Sequence, residues 1–123
     1  MTKSILLVIC ALFTLNLFAN LQFIDVKTNS EWTAVFEQAK KENKYVFVFV
    51  YTDWCGYCKT MEKEVFTSDS LVMVDEFISI KINGESDFGS SIGYIYNING
   101  YPVSLFFDEN ENLLLNISGF VDR

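Results

Sequence analysis

The chain contains no histidine. Imidazole general-base catalysis, a Ser-His-Asp arrangement and any metal site that depends on imidazole are therefore excluded. Proline occurs once, at Pro102, and glycine only six times in 123 residues, which leaves no Pro-rich linker or Gly-rich low-complexity segment. Positive charge is scarce: nine Lys and Arg, scattered singly, stand against sixteen Asp and Glu. With no basic stripe to neutralise phosphates, nucleic acid is not an expected partner. Three cysteines are too few, and an awkward number, for a disulfide-stapled scaffold. What is present is an apolar fraction of 50% and a length suited to one domain with a modest core.

The N-terminus changes the count. Lys3 precedes an apolar run from Ile5 to Leu15, and the small Ala19 follows Leu17 and Phe18. The pattern reads as a secretory signal peptide, residues 1–19, cut after Ala19. The rivals are an uncleaved membrane anchor, although the run is shorter than the roughly 20 apolar residues of a spanning helix, and a buried N-terminal helix. Cleavage discards Lys3 and Cys10, leaving residues 20–123 as one domain with eight Lys and Arg against sixteen Asp and Glu. The cysteines that remain are Cys55 and Cys58, three apart. A disulfide closing so short a loop adds little as a staple, which points to redox use.

Thr28 and Glu31 have capping-box spacing, and Trp32, Val35, Phe36 and Ala39 follow at i, i+3, i+4 and i+7, so a helix is expected over roughly residues 30–43, ended by Asn43 and Lys44. Tyr45 to Tyr51 is an unbroken aromatic and β-branched run, as in a central strand buried on both faces. A helix is expected after Cys55, carrying Met61, Val65 and Phe66, and another from Ser70 to about Glu76. Phe77 to Ile82 alternates like a strand. Glu85 to Ser91 is polar, and Ile92, Ile95 and Tyr96 form a short helical face. Val103–Phe107 and Leu113–Ile117 read as a terminal hairpin around the polar turn Asp108–Asn112. The order predicts an α/β domain with a mixed central sheet flanked by helices.

The Cys-Gly-Tyr-Cys sequence lies where a buried strand gives way to a helix. A cysteine at a helix N-terminus meets unpaired N–H groups and the helix dipole, which stabilise a thiolate. A second cysteine one turn later can attack the mixed disulfide that the first forms with a substrate. This spacing assigns Cys55 as the exposed nucleophile and Cys58 as the resolving thiol. Gly56 would permit a tight turn, and Trp54 would cover one side of the sulfur pair. The alternatives are an inert disulfide, or half of a zinc site that a dimer would have to complete.

Val46 to Lys59, the stretch Lys81-Ile82-Asn83, and Gly100-Tyr101-Pro102 ahead of a terminal hairpin resemble the thioredoxin superfamily. Trp54-Cys55-Gly56-Tyr57-Cys58-Lys59 followed by Glu62, Glu64, Phe66 and Ser68 is similar, more narrowly, to exported thioredoxin-like domains of the DsbD thiol:disulfide interchange family. The resemblance implies a thioredoxin-like fold and a cis Pro102 facing the cysteines. It also implies that the backbone of Tyr101 pairs with bound substrate, and that Trp54, Gly56 and Tyr57 lie in the substrate-contacting loop. It implies a periplasmic thiol-disulfide oxidoreductase with no cofactor beyond the Cys55–Cys58 disulfide. Oxidised proteins are the expected substrates, and a membrane electron donor of the DsbD type is the expected source of electrons. Uncleaved, the signal would make the protein membrane-anchored.

The chain departs from the family pattern at two places. Phe49 stands where relatives carry a buried acid, six residues before the first cysteine, and Glu62 is the nearest candidate to replace it. The family's last helix is missing from the pattern, which would leave apolar sheet surface bare. A shortened sequence is the favoured explanation, with an adapted small domain or a covering partner as alternatives. A catalytic direction is not legible, because oxidants and reductants share this scaffold over about −120 to −270 mV. The missing His separates the site from Cys-Pro-His-Cys oxidants and favours reduction. An oxidase or isomerase, and a non-catalytic peptide-binding module, are the rival functions.

Overall fold

The computed structural model describes residues 22–67 and 74–122. The expected signal segment, residues 1–19, lies outside them. The chain forms a five-stranded sheet in the order β1-β3-β2-β4-β5, with β1 Phe23–Asp25, β2 Tyr45–Tyr51, β3 Phe77–Asn83, β4 Val103–Phe107 and β5 Leu113–Ser118. β3 runs parallel to both β1 and β2, whereas β4 is antiparallel to β2 and to β5. The helices are α1 Asn29–Glu42, α2 Gly56–Thr60, which continues into a π-type segment Met61–Val65, and α3 Asp87–Ile95.

Local chemistry sets the ends of α1. Thr28 Oγ1 accepts from the Glu31 N–H at 3.2 Å, as the capping box predicts, but the Glu31 carboxylate accepts from Lys27 N–H at 3.1 Å rather than from Thr28. At the other end Asn43 takes a left-handed conformation, and the Lys44 N–H donates to the Ala39 carbonyl at 2.9 Å. The buried residues of α1 are Trp32, Val35, Phe36 and Ala39, the expected stripe.

β2 sits at the middle of the sheet, and its alternation sorts the core. Val46, Val48 and Val50 face α1 and α3 with Ile78, Ile80, Ile82, Val103, Leu105 and Phe107. Phe47 and Phe49 face the other side with both cysteines, Met61, Val65 and Phe66. A continuous apolar run is what such two-sided burial requires.

Three elements differ from the sequence expectations. β1 was not expected, since a three-residue edge strand shows too little alternation to be seen. α3 begins at Asp87, well before the expected face at Ile92, because Ser86 caps it by accepting from the Gly89 N–H at 2.9 Å. Its first turn offers a single apolar side chain, Phe88, which packs toward Trp32, and one residue among polar and small neighbours makes no periodicity. Of the helix expected over Ser70–Glu76, the described part is a 3-10 turn, Val74–Glu76, and residues 68–73 lie outside the described set. Among the described residues no helix follows β5, and Leu113, Leu114 and Leu115 are exposed.

Candidate active site

The end of β2 delivers the chain into the turn Thr52–Cys55, closed by Cys55 N–H donating to the Thr52 carbonyl at 3.3 Å. Cys55 is the N-cap of α2, and its Sγ accepts from the Cys58 N–H at 3.1 Å. The sulfurs of Cys55 and Cys58 are joined as a disulfide, with Cα atoms 5.3 Å apart. An N–H group aimed at the first sulfur is the arrangement that would stabilise a thiolate there once the bond is reduced.

Cys55 is only 4% exposed and Cys58 1%, so the expected exposed nucleophile is in fact buried. The pair packs in one cluster with Phe47, Phe49, Met61, Val65 and Phe66, which closes round the disulfide from the sheet side. Exposure instead belongs to the flanking residues: Trp54 and Tyr57 are each 67% accessible. Gly56 also departs from expectation. It starts α2, and a Cβ there would meet nothing within 4 Å, so no tight turn demands glycine.

The turn that leads into β4 completes the site. The Tyr101–Pro102 peptide bond is cis, Pro102 is buried, and Tyr101 packs against the cluster that holds both cysteines. After β5 the chain returns to the same place. Gly119, at φ +93°, donates its N–H to the Pro102 carbonyl at 2.8 Å, a conformation that suits glycine alone. Phe120 then meets Tyr57 at 5.8 Å between ring centroids, and Val121 packs on the cysteine cluster.

A family model described as a thioredoxin-like domain matches residues 32–123. The chain belongs to that family. It is 32% identical over 85 residues to the thiol:disulfide interchange protein DsbD of Haemophilus ducreyi, a match covering 65% of this chain and 15% of that protein. To the DsbD of Escherichia coli strain K12 it is 28% identical over 108 residues, covering 84% of this chain and 19% of that protein. The chain thus corresponds to under a fifth of the length of these curated relatives. Among solved structures, a Bacteroides thetaiotaomicron protein described as a candidate disulphide isomerase superposes with a TM-score of 0.71 at 24% identity, covering 88% of each chain. That likeness bears on the thioredoxin-like fold.

In this thioredoxin-like site Phe49, at the position where the family resemblance implies an acid, is fully buried, and its register neighbours are Lys81 on β3 and Ser104 on β4. The charge sits one layer out. Lys81 Nζ donates to Glu62 Oε1 at 2.6 Å and lies 4.6 Å from the Tyr51 ring centroid. Burial alone would lower the Lys81 pKa, but the hydrogen bond and charge of Glu62 outweigh it and the net shift is upward. Burial raises the Tyr51 phenol, partly offset by the neighbouring ammonium. Glu62 is therefore held in an ion pair, in the π-type segment, rather than solvated alone.

Sequence reading missed Glu85, which accepts the Trp54 indole N–H, and Phe120 and Val121, which return to the active-site helix. Hydrophobicity at 120 and 121 is visible, but its destination depends on the path of the chain after β5, which no local pattern reports. Among the described residues no group of three or more His, Cys, Asp or Glu could hold a metal ion, and no helix is long and apolar enough to cross a membrane.

Proposed function

We propose that this chain is a thiol-disulfide oxidoreductase of the cell envelope that reduces or exchanges disulfides in other proteins. The observation that carries the reading is the Cys55–Cys58 disulfide at the strand-to-helix junction, with the Cys55 sulfur taking an N–H bond as helix cap. In the reduced protein the Cys55 thiolate attacks one sulfur of a substrate disulfide. A mixed disulfide forms, and the other substrate sulfur leaves as a thiolate that takes up a proton. Cys58 then loses its proton and attacks Cys55 Sγ, the mixed disulfide breaks, and the second substrate thiol departs. Two electrons have passed to the substrate, and the protein is left as the oxidised form seen here. A membrane electron donor of the DsbD type restores the dithiol.

Tyr101 and Pro102 present main chain to an extended substrate segment beside the sulfurs, with Trp54, Gly56 and Tyr57 contacting it from the active-site loop. Glu62 assists proton transfer from Cys58 in place of the acid that Phe49 replaces, with Lys81 fixing its position. Export to the periplasm is supported by the apolar N-terminal segment and by similarity to DsbD, a property of relatives that are several times longer. Two trapping variants test the reading. Cys58→Ser should accumulate a mixed disulfide with oxidised insulin, detectable by mass, whereas Cys55→Ser should not. Equal trapping by both, or by neither, contradicts the assigned roles. Glu62→Gln should shift the pH profile of exchange, and an unchanged profile removes Glu62 from the mechanism.

A further inference from the structure

The loop between β3 and α3 is pinned from three directions. Gly84 N–H donates to the Tyr51 carbonyl at 2.7 Å, tying it to the end of β2. Asn83 braces the turn: its Oδ1 accepts from Glu85 N–H at 3.0 Å, and its carbonyl accepts from the Ser86 amide at 3.1 Å and hydroxyl at 2.7 Å. α3 presses on it from beyond, so that a Cβ at Gly89 would stand within 3.0 Å of the Asn83 carbonyl and of Gly84 Cα. Backbone held by this many satisfied groups is a fixed reference for whatever rests on it.

Two side chains of the exchange site rest on it. The Tyr101 hydroxyl donates to the Gly84 carbonyl at 3.3 Å, and its ring fills the space a side chain at 84 would take. A Cβ at Gly84 would stand within 3.0 Å of the Tyr101 Cε1, Cζ and hydroxyl oxygen. The next residue, Glu85, accepts the Trp54 indole N–H. Trp54 and Tyr101 then meet edge to face at 6.1 Å, closing a ring of contacts beside the disulfide.

We propose that Gly84 and Glu85 are positioning residues for substrate docking: the absent side chain at 84 sets where Tyr101 stands, and the carboxylate at 85 sets where Trp54 stands. The proposal rests on the exchange reading of Cys55–Cys58 and names residues beyond it. A side chain at 84 displaces the Tyr101 ring and shifts the main chain that meets a protein substrate, while Phe47, Phe49, Met61, Val65 and Phe66 still pack with the sulfurs. A protein disulfide therefore suffers more than a small one that has no main chain to dock.

The test compares insulin with hydroxyethyl disulfide, using the purified protein and dithiothreitol as reductant. Gly84→Ala should raise the KM for insulin roughly tenfold, several-fold more than it slows the small disulfide. In a Tyr101→Ala background the same change should add nothing, since the ring it displaces is gone. Glu85→Ala should move the Trp54 indole N–H resonance and raise the insulin KM. Glu85→Gln, whose amide oxygen accepts the same bond, should restore both, and this pair decides the matter if Gly84→Ala does not fold. Equal losses on both disulfides, additive effects with Tyr101→Ala, or no rescue by Gln overturn the proposal while the exchange reading stands. A wild-type protein that reduces neither disulfide overturns that reading and this inference together.

Discussion

The two faces of the sheet are built from the same five strands and do different things. On the α1/α3 side, Val46, Val48 and Val50 interlock with isoleucines of β3, and Phe107 meets Trp32, Phe36 and Tyr96 edge-on. That face is closed, aliphatic at its centre and without ionisable groups in its buried cluster. On the α2 side the core is aromatic, with Phe23, Phe47, Phe49 and Phe66 in mutual contact, and the disulfide is embedded in it. The Glu62–Lys81 pair borders it. Both faces hold the fold, but only one also surrounds a disulfide, with a largely aromatic wall. The difference shows how a single strand, β2, serves both through the alternation of its side chains.

If the faces are independent in this sense, equal truncations should have unequal chemical effects. Phe107→Ala on the closed face should cost about 3–5 kcal/mol, a large part of the stability of a small domain, and leave the thiol pKa of the surviving folded protein in place. Phe49→Ala should cost a similar about 3–5 kcal/mol, but it should also lower the thiol pKa of the reduced pair, because water reaching the vacated space eases ionisation. Denaturant unfolding and the pH dependence of thiol alkylation check both. A shift of the same size in Phe107→Ala would dissolve the distinction.

Smaller effects sharpen it. Lys81→Met should cost at most about 1 kcal/mol near neutrality, since both partners of the pair are partly exposed. The Lys81 pKa is raised above its ordinary 10.5, so its contribution is complete below that pH and is lost as pH rises through the folded value. The gap between wild type and variant should thus be constant from neutral to about pH 10.5 and close above it; a gap that closes at lower pH contradicts the pair. The smallest effect is expected at the β4–β5 turn. There Asp108 accepts from the Asn112 side chain and backbone and from the Asn110 backbone, which hold its pKa below the ordinary 3.8. Its contribution exists above that value and disappears as pH falls through the lower folded one. Melting of wild type should therefore drop more steeply between pH 4 and pH 2 than melting of Asp108→Asn.

Much of this architecture could be read from residue patterns. β2 has the expected limits, α1 and the hairpin lie within two residues of theirs, Cys55, Cys58 and Tyr101 share one cluster, and the Tyr101–Pro102 bond is cis. These features rest on strong local periodicity or on a motif. β1 is too short to announce itself, and α3 starts with a lone apolar residue, Phe88, beside Gly89, whose missing side chain lets the helix approach Asn83 and Gly84. The burial of Cys55 is not legible in the sequence, because exposure depends on Phe47, Met61 and Phe66 arriving from outside the Cys-Gly-Tyr-Cys segment. The Glu85–Trp54 bond and the return of Phe120 to Tyr57 are set by loop paths, which spacing along the chain does not encode.

The proposed function, with the absence of histidine from the Cys-Gly-Tyr-Cys site, favours the reducing direction for the Cys55–Cys58 pair. Equilibrating the protein with glutathione buffers and counting free thiols measures its potential. The expected value is nearer the roughly −270 mV of thioredoxin than the roughly −120 mV of strong oxidants. A value near −120 mV would contradict it.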